Sequence, residues 1–144
     1  MTVAILLTGA LRNIDYTLDH ISSLCRVSAP EVRIFAAVDT DSEAPLDMVR
    51  LKLSPWLASL QVVRKIISQA PDTARMRTRL SLTPESIWSR THTKEWVTRY
   101  LCENSGSLIE SRQISVAIRE LKDWETVHGT KFKTAYRVRT DAVP

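Results

Sequence analysis

Glycine is scarce in this chain, with three residues in 144, and the scarcity argues against two large classes of nucleotide enzyme. A dinucleotide fold wraps pyrophosphate with Gly-x-Gly-x-x-Gly, and a P-loop needs glycines followed by a Lys-Ser or Lys-Thr pair; neither pattern occurs. Cysteine is scarcer still. Cys25 and Cys102 lie far apart with no Cys or His at metal-ligand spacing, so a disulfide framework is not expected and reduced thiols in a cytosolic setting are. His20, His92 and His128 share no ligand spacing either, which leaves a zinc site without support. No apolar run approaches the roughly 20 residues that would cross a bilayer, so no membrane span is expected. The apolar opening Met1-Thr2-Val3-Ala4-Ile5-Leu6-Leu7 has no basic leader before it and no small-residue cleavage site behind it. It reads as a buried strand rather than a signal peptide, and the expected location is cytoplasmic.

What is present is globular composition, 44% hydrophobic and 25% charged, on a length that makes one domain able to bury a core. Twenty basic and sixteen acidic residues are interspersed and leave a net charge of +4, which favours an anionic ligand without demanding nucleic acid. The one concentrated piece, Arg75-Met76-Arg77-Thr78-Arg79, reads as a solvated loop or exposed strand face ahead of a phosphate clamp. Interleaved aromatics and a recognisable binding motif are missing, so no nucleic-acid partner is expected.

Hydrophobic periodicity alternates between strand and helix. Residues 3–8 form a continuous apolar run closed by Gly9, the pattern of a strand buried on both faces of a parallel sheet. Asn13 or Asp15 then caps a helix over about residues 16–26, with Ile14, Leu18, Ile21 and Cys25 on one face. Residues 32–38 make a second strand, Pro45 opens a short helix, and residues 60–67 read as a third strand. From 68 to 83 the sequence turns polar and aperiodic, which predicts a long loop. Thr83-Pro84-Glu85-Ser86 announces a helix with Ile87, Trp88, Trp96, Val97, Tyr100 and Leu101 as core candidates, ended by Asn104-Ser105-Gly106. A longer helix runs from Ser107 or Ser111 to about Val127, stopped by His128-Gly129, and residues 134–139 form the last strand. The expected fold class is α/β, a Rossmann-like three-layer sandwich with a mostly parallel sheet in a single domain.

In such folds ligands collect outside the carboxyl ends of the strands, where strand order reverses. Three polar clusters fall there: Thr8-Gly9-Ala10-Leu11-Arg12, Asp39-Thr40-Asp41, and Arg137, Arg139 and Asp141. Gly9 serves either a positive-φ turn or close approach of backbone to a nucleotide. Arg12 suits a surface ion pair or bidentate phosphate binding. Asp39 is placed to accept hydrogen bonds from a ribose hydroxyl or a base, while Asp41, followed by Ser42, Glu43 and Pro45, reads first as a helix cap. The pair also matches an Asp-x-Asp metal motif. The closing arginines and aspartate can hold diphosphate and a divalent cation.

These residues carry a resemblance. Ile5-Leu6-Leu7-Thr8-Gly9-Ala10-Leu11-Arg12, Arg112-Gln113-Ile114 and Tyr136-Arg137-Val138-Arg139-Thr140-Asp141 look like the amino-terminal, nucleotide-binding half of a GT-A-type glycosyltransferase. The likeness is to the polysaccharide and lipopolysaccharide biosynthesis enzymes, with Gly-x-x-Arg in the first loop and Arg-x-Arg-x-Asp at a strand end. It implies binding of a nucleoside-diphosphate sugar as donor and transfer of the sugar to a glycan or other hydroxyl acceptor. It further implies Mn²⁺ or Mg²⁺ on Asp141, the last acid of the family's Asp-x-Asp; Arg139 stands where the first acid would be. Arg112 and Gln113 resemble a pair aimed at the sugar or at the Arg-x-Arg-x-Asp segment, although from the residues themselves a solvated helix face is the expected reading. Enzymes of this type continue well past the metal motif. The chain is therefore expected to be a piece of a longer enzyme, a compact nucleotide half that works with a partner, or a relative that binds nucleotide or anion without catalysis.

Overall fold

The computed structural model describes residues 2–12, 14–28, 31–63, 75, 77–79, 81–82 and 106–140. The chain separates into two compact units, Met1–Arg64 with Arg112–Pro144, and Lys65–Ser111. The first unit is α/β, built from β1 (Thr2–Ala10), α1 (Ile14–Ser28), β2 (Glu31–Asp39), α2 (Glu43–Leu53), β3 (Leu57–Val62), α3 (Gly106–His128) and β4 (Thr134–Arg139). Residues 106–111, the start of α3, group with the second unit.

The four strands are all parallel and lie in the order β3-β2-β1-β4. Winding proceeds outward from β1 through β2 to β3, then returns to the far side of β1, so its direction reverses between β1 and β4. The central five residues of β1 are buried, as a strand covered on both faces requires. Ile5 and Leu7, with Ile34, Ala36 and Val38 of β2, pack against Leu18, Ile21 and Cys25 of α1 and Leu46, Val49 and Leu53 of α2. Alternation sends Ala4, Leu6, Phe35 and Ala37 to the opposite face, against Ala117, Leu121 and Trp124 of α3. Trp124 is thus part of the core, edge-on to Phe35 with ring centroids 6.4 Å apart. Gly129, at φ 64°, supplies the left-handed stop of α3.

Three elements depart from the sequence reading. β3 starts at Leu57, three residues before the expected Leu60, because Ile34 N–H reaches Trp56 O at 2.8 Å as soon as the turn after α2 is complete. Its pairing with β2 ends at Val38, where Val63 N–H donates to Val38 O at 2.8 Å, and residues 64–67 of the expected strand lie outside the described residues. Second, residues 75, 77–79 and 81 are helical rather than looped, with Leu82 N–H donating to Thr78 O at 3.2 Å. Arginine is a good helix former even where no apolar stripe marks the helix. Third, the N-cap of α2 is Ser42 and not Asp41. The expected helix after Pro84, with Trp88 and Trp96, lies outside the described residues, as does Asn13.

Candidate functional site

The carboxyl end of β1 is tied to that of β4 by a short, specific set of contacts. Register places Thr8 opposite Arg139 and Leu6 opposite Arg137, so both arginines share the α3 face of the sheet with Thr8. Arg137 Nε donates to Thr8 Oγ1 at 3.2 Å. Thr140, 1% exposed, donates from its N–H to Thr8 O at 2.8 Å and from Oγ1 to Ala10 O at 2.7 Å. Between those two carbonyls sits Gly9 at φ 126°, with Thr140 Oγ1 only 2.5 Å from where a Cβ would be. Close approach of chain, from the other end of the sequence, is thus a sufficient reason for glycine at this position.

Beyond Gly9 the chain bends over β2. Leu11 N–H donates to Asp39 O at 2.9 Å and Arg12 N–H to Ala10 O at 3.0 Å, which fixes the turn carrying Arg12. Thr40 closes the matching turn after β2: its Oγ1 donates to Ser42 O at 3.1 Å and accepts from Ser42 N–H at 3.3 Å. The two turns border a cleft of about 210 Å³ lined by Ala10, Leu11, Arg12, Asp39, Thr40, Asp41, Ser42 and Pro45. Ser42, the N-cap of α2, lines the cleft and makes no side-chain capping bond, so the positive end of that helix dipole lies near the cleft. Among the described residues no carboxylate forms an ion pair with Arg12, whose side chain is exposed.

The sequence-predicted residues therefore fall into two neighbouring groups. Arg12, Asp39 and Asp41 line the cleft. Thr8, Arg137 and Arg139 lie on the α3 face, joined to the cleft through Gly9, Ala10 and Thr140. Gln113 is 2% exposed and lies one helical turn before Ala117 on the sheet-facing stripe of α3, which corrects the solvated-face expectation for that residue; Arg112 beside it is half-buried. A run of Gln113, Ala117, Leu121 and Trp124 at spacings of four and three was the available signal for this burial. Asp141 lies outside the described residues. Thr140, Thr40 and Ser42 were not singled out as site residues; nothing in sequence spacing links Thr140 to Gly9, which it meets across 130 intervening positions.

A divalent cation would need several carboxylate or imidazole ligands. Among the described residues no three His, Cys, Asp or Glu side chains gather, so those residues do not make a cation site by themselves. The described helices include none long and apolar enough to cross a membrane. No family model matches this sequence, and neither a curated protein nor a solved structure is significantly similar to it.

Proposed function

We propose that this chain is a nucleotide-sugar-binding domain of the GT-A glycosyltransferase type, a Rossmann-like sandwich that holds a nucleoside-diphosphate sugar at the carboxyl edge of its sheet. The observation that carries the reading is adjacency: the end of β1 is joined to β4 on the side where winding reverses and borders, on its other side with the end of β2, a polar cleft. Charge supports a direction for the ligand. Arg12, Arg137 and Arg139 suit the diphosphate, whereas Asp39, Thr40 and Asp41 suit ribose hydroxyls and base N–H groups. In the transfer, a bond forms between the acceptor hydroxyl oxygen and the anomeric carbon, the bond from that carbon to the diphosphate oxygen breaks with its electron pair leaving on the diphosphate, and the hydroxyl proton is released to solvent. Guanidinium groups beside the departing diphosphate would stabilise its growing negative charge. Mn²⁺ or Mg²⁺ held with the help of Asp141 would add to that stabilisation.

Thermal melting with UDP-, GDP- and dTDP-sugars, with and without Mn²⁺, tests the proposal. Ligand at a hundred times its Kd stabilises by about 3 kcal/mol, which for a chain of this size raises Tm by roughly 5–11 °C. Asp141→Asn is expected to abolish any Mn²⁺ dependence. Stabilisation without metal and without donor turnover would mark a binding module instead, and no response to any nucleotide would end the proposal.

A further inference from the structure

The hydroxyl of Thr140 joins strands that are distant in sequence, and its partner atom is shared. Ala10 O accepts both from Thr140 Oγ1 at 2.7 Å and from Arg12 N–H at 3.0 Å, while the next amide, Leu11 N–H, binds Asp39 O at 2.9 Å. The exit of β4, the turn holding Arg12 and the strand end holding Asp39 are thereby linked through three hydrogen bonds and the peptide units between them. Thr140 is 1% exposed, so it cannot touch a ligand in the cleft directly. Its hydroxyl also sits 2.5 Å from the missing Cβ of Gly9, in a space that only glycine leaves open.

We infer that Thr140 is a positioning residue for the anion-binding turn: its side-chain hydroxyl clasps Ala10 O and so holds Arg12 at the mouth of the cleft beside Asp39. A peptide carbonyl with two donors is held in one orientation, and the turn that follows it inherits that orientation. When the clasp is cut, Ala10 O keeps the Arg12 amide alone, the turn samples more conformations, and ligand binding must bear the ordering cost. The inference rests on the reading of the cleft as a diphosphate site, but the clasp itself can be observed without ligand.

The test compares Thr140→Val, which keeps shape and removes the hydroxyl, with Thr140→Ser, which keeps the hydroxyl. Two measurements are made on each full-length protein: amide hydrogen exchange at Leu11 and Arg12 without ligand, and affinity for UDP and for inorganic pyrophosphate by calorimetry. Thr140→Val is expected to speed exchange at both amides about tenfold and to weaken UDP and pyrophosphate binding by a similar factor, while Thr140→Ser stays within about twofold of wild type. Unchanged exchange in a folded Thr140→Val protein overturns the clasp. So does equal loss of affinity in the Ser variant, because a general packing defect would produce it. If wild type binds neither probe, the diphosphate reading of the cleft fails, and the exchange data alone then decide whether the clasp exists.

Discussion

Gly9 and Gly129 both adopt positive φ, 126° and 64°, yet a side chain meets different surroundings at each. At Gly129 nothing lies within 4 Å of a built Cβ, so alanine costs only the left-handed backbone, about 1 kcal/mol. At Gly9 the backbone penalty of about 1–3 kcal/mol is joined by collision with Thr140 Oγ1 at 2.5 Å and its amide nitrogen at 3.3 Å. Calorimetry is expected to show Gly129→Ala melting within about 4 °C of wild type and Gly9→Ala lower by at least about 6 °C, at 2–4 °C per kcal/mol. Equal shifts would refute the tight contact. Cys25 gives a second measurement at this scale. It is 2% exposed, and burial pushes its thiol from 9.0 up to about 11. The folded state therefore favours the neutral thiol: its contribution is complete below pH 9 and declines as pH rises from 9 towards 11, because the unfolded chain ionises first. The loss is at most about 3 kcal/mol over that window. In a Cys102→Ser background, Cys25 should resist a thiol reagent at pH 8 until the protein is unfolded; rapid labelling of the native state would contradict its burial.

At the scale of elements, packing rather than surface charge holds the sheet together. Phe35 is fully buried on β2 and meets Phe132 edge-on with centroids 5.7 Å apart, as well as Trp124 at 6.4 Å, so it anchors α3 to the sheet. Phe35→Ala is expected to cost about 3–5 kcal/mol in urea unfolding, whereas Lys52→Met, which removes the Lys52–Asp19 ion pair at 2.8 Å between α2 and α1, should cost less than about 1 kcal/mol. Asp19 is largely exposed, and water screens the pair. A larger loss from Lys52→Met than from Phe35→Ala would invert this ranking. These elements were legible to different degrees for the same reason. β1, β2 and α1 carry their own signals, continuous apolar runs and a four-three spacing, and β4 is found at residues 134–139 as read. β3 was not, because its start comes from the turn at Trp56. The helical residues 75, 77–79 and 81 were missed because their composition favours a helix while their polarity hides any face. At the site, Asp39 and Arg12 were legible from strand ends. The role of Thr140 was not, since it exists only once β4 lies beside β1.

Whole-molecule topology decides where a ligand can act. In an all-parallel sheet every strand ends at one edge, and helices α1 and α2 begin there with positive dipole ends, so polar chemistry and anion attraction accumulate on the same side. At the other edge Lys133 N–H donates to Thr2 O at 3.2 Å near the start of β1, and Trp124 and Phe132 pack against the α3-face core. Net charge of +4 acts on the molecule as a whole, and by itself would attract anions anywhere on the surface. Position therefore discriminates a site from general attraction. In an amide NMR titration with UDP at 150 mM salt, shifts are expected at residues 10–12, 39–42 and 137–140, with little change at Phe35, Trp124 and Phe132. Raising salt threefold should weaken a site that combines hydrogen bonds with charge by less than about tenfold, whereas purely counterion-driven binding through several cations would fall more steeply. Shifts scattered over the exposed lysines and arginines, vanishing together as salt rises, would reduce the cleft to a polar feature of the surface and remove the basis for sugar transfer.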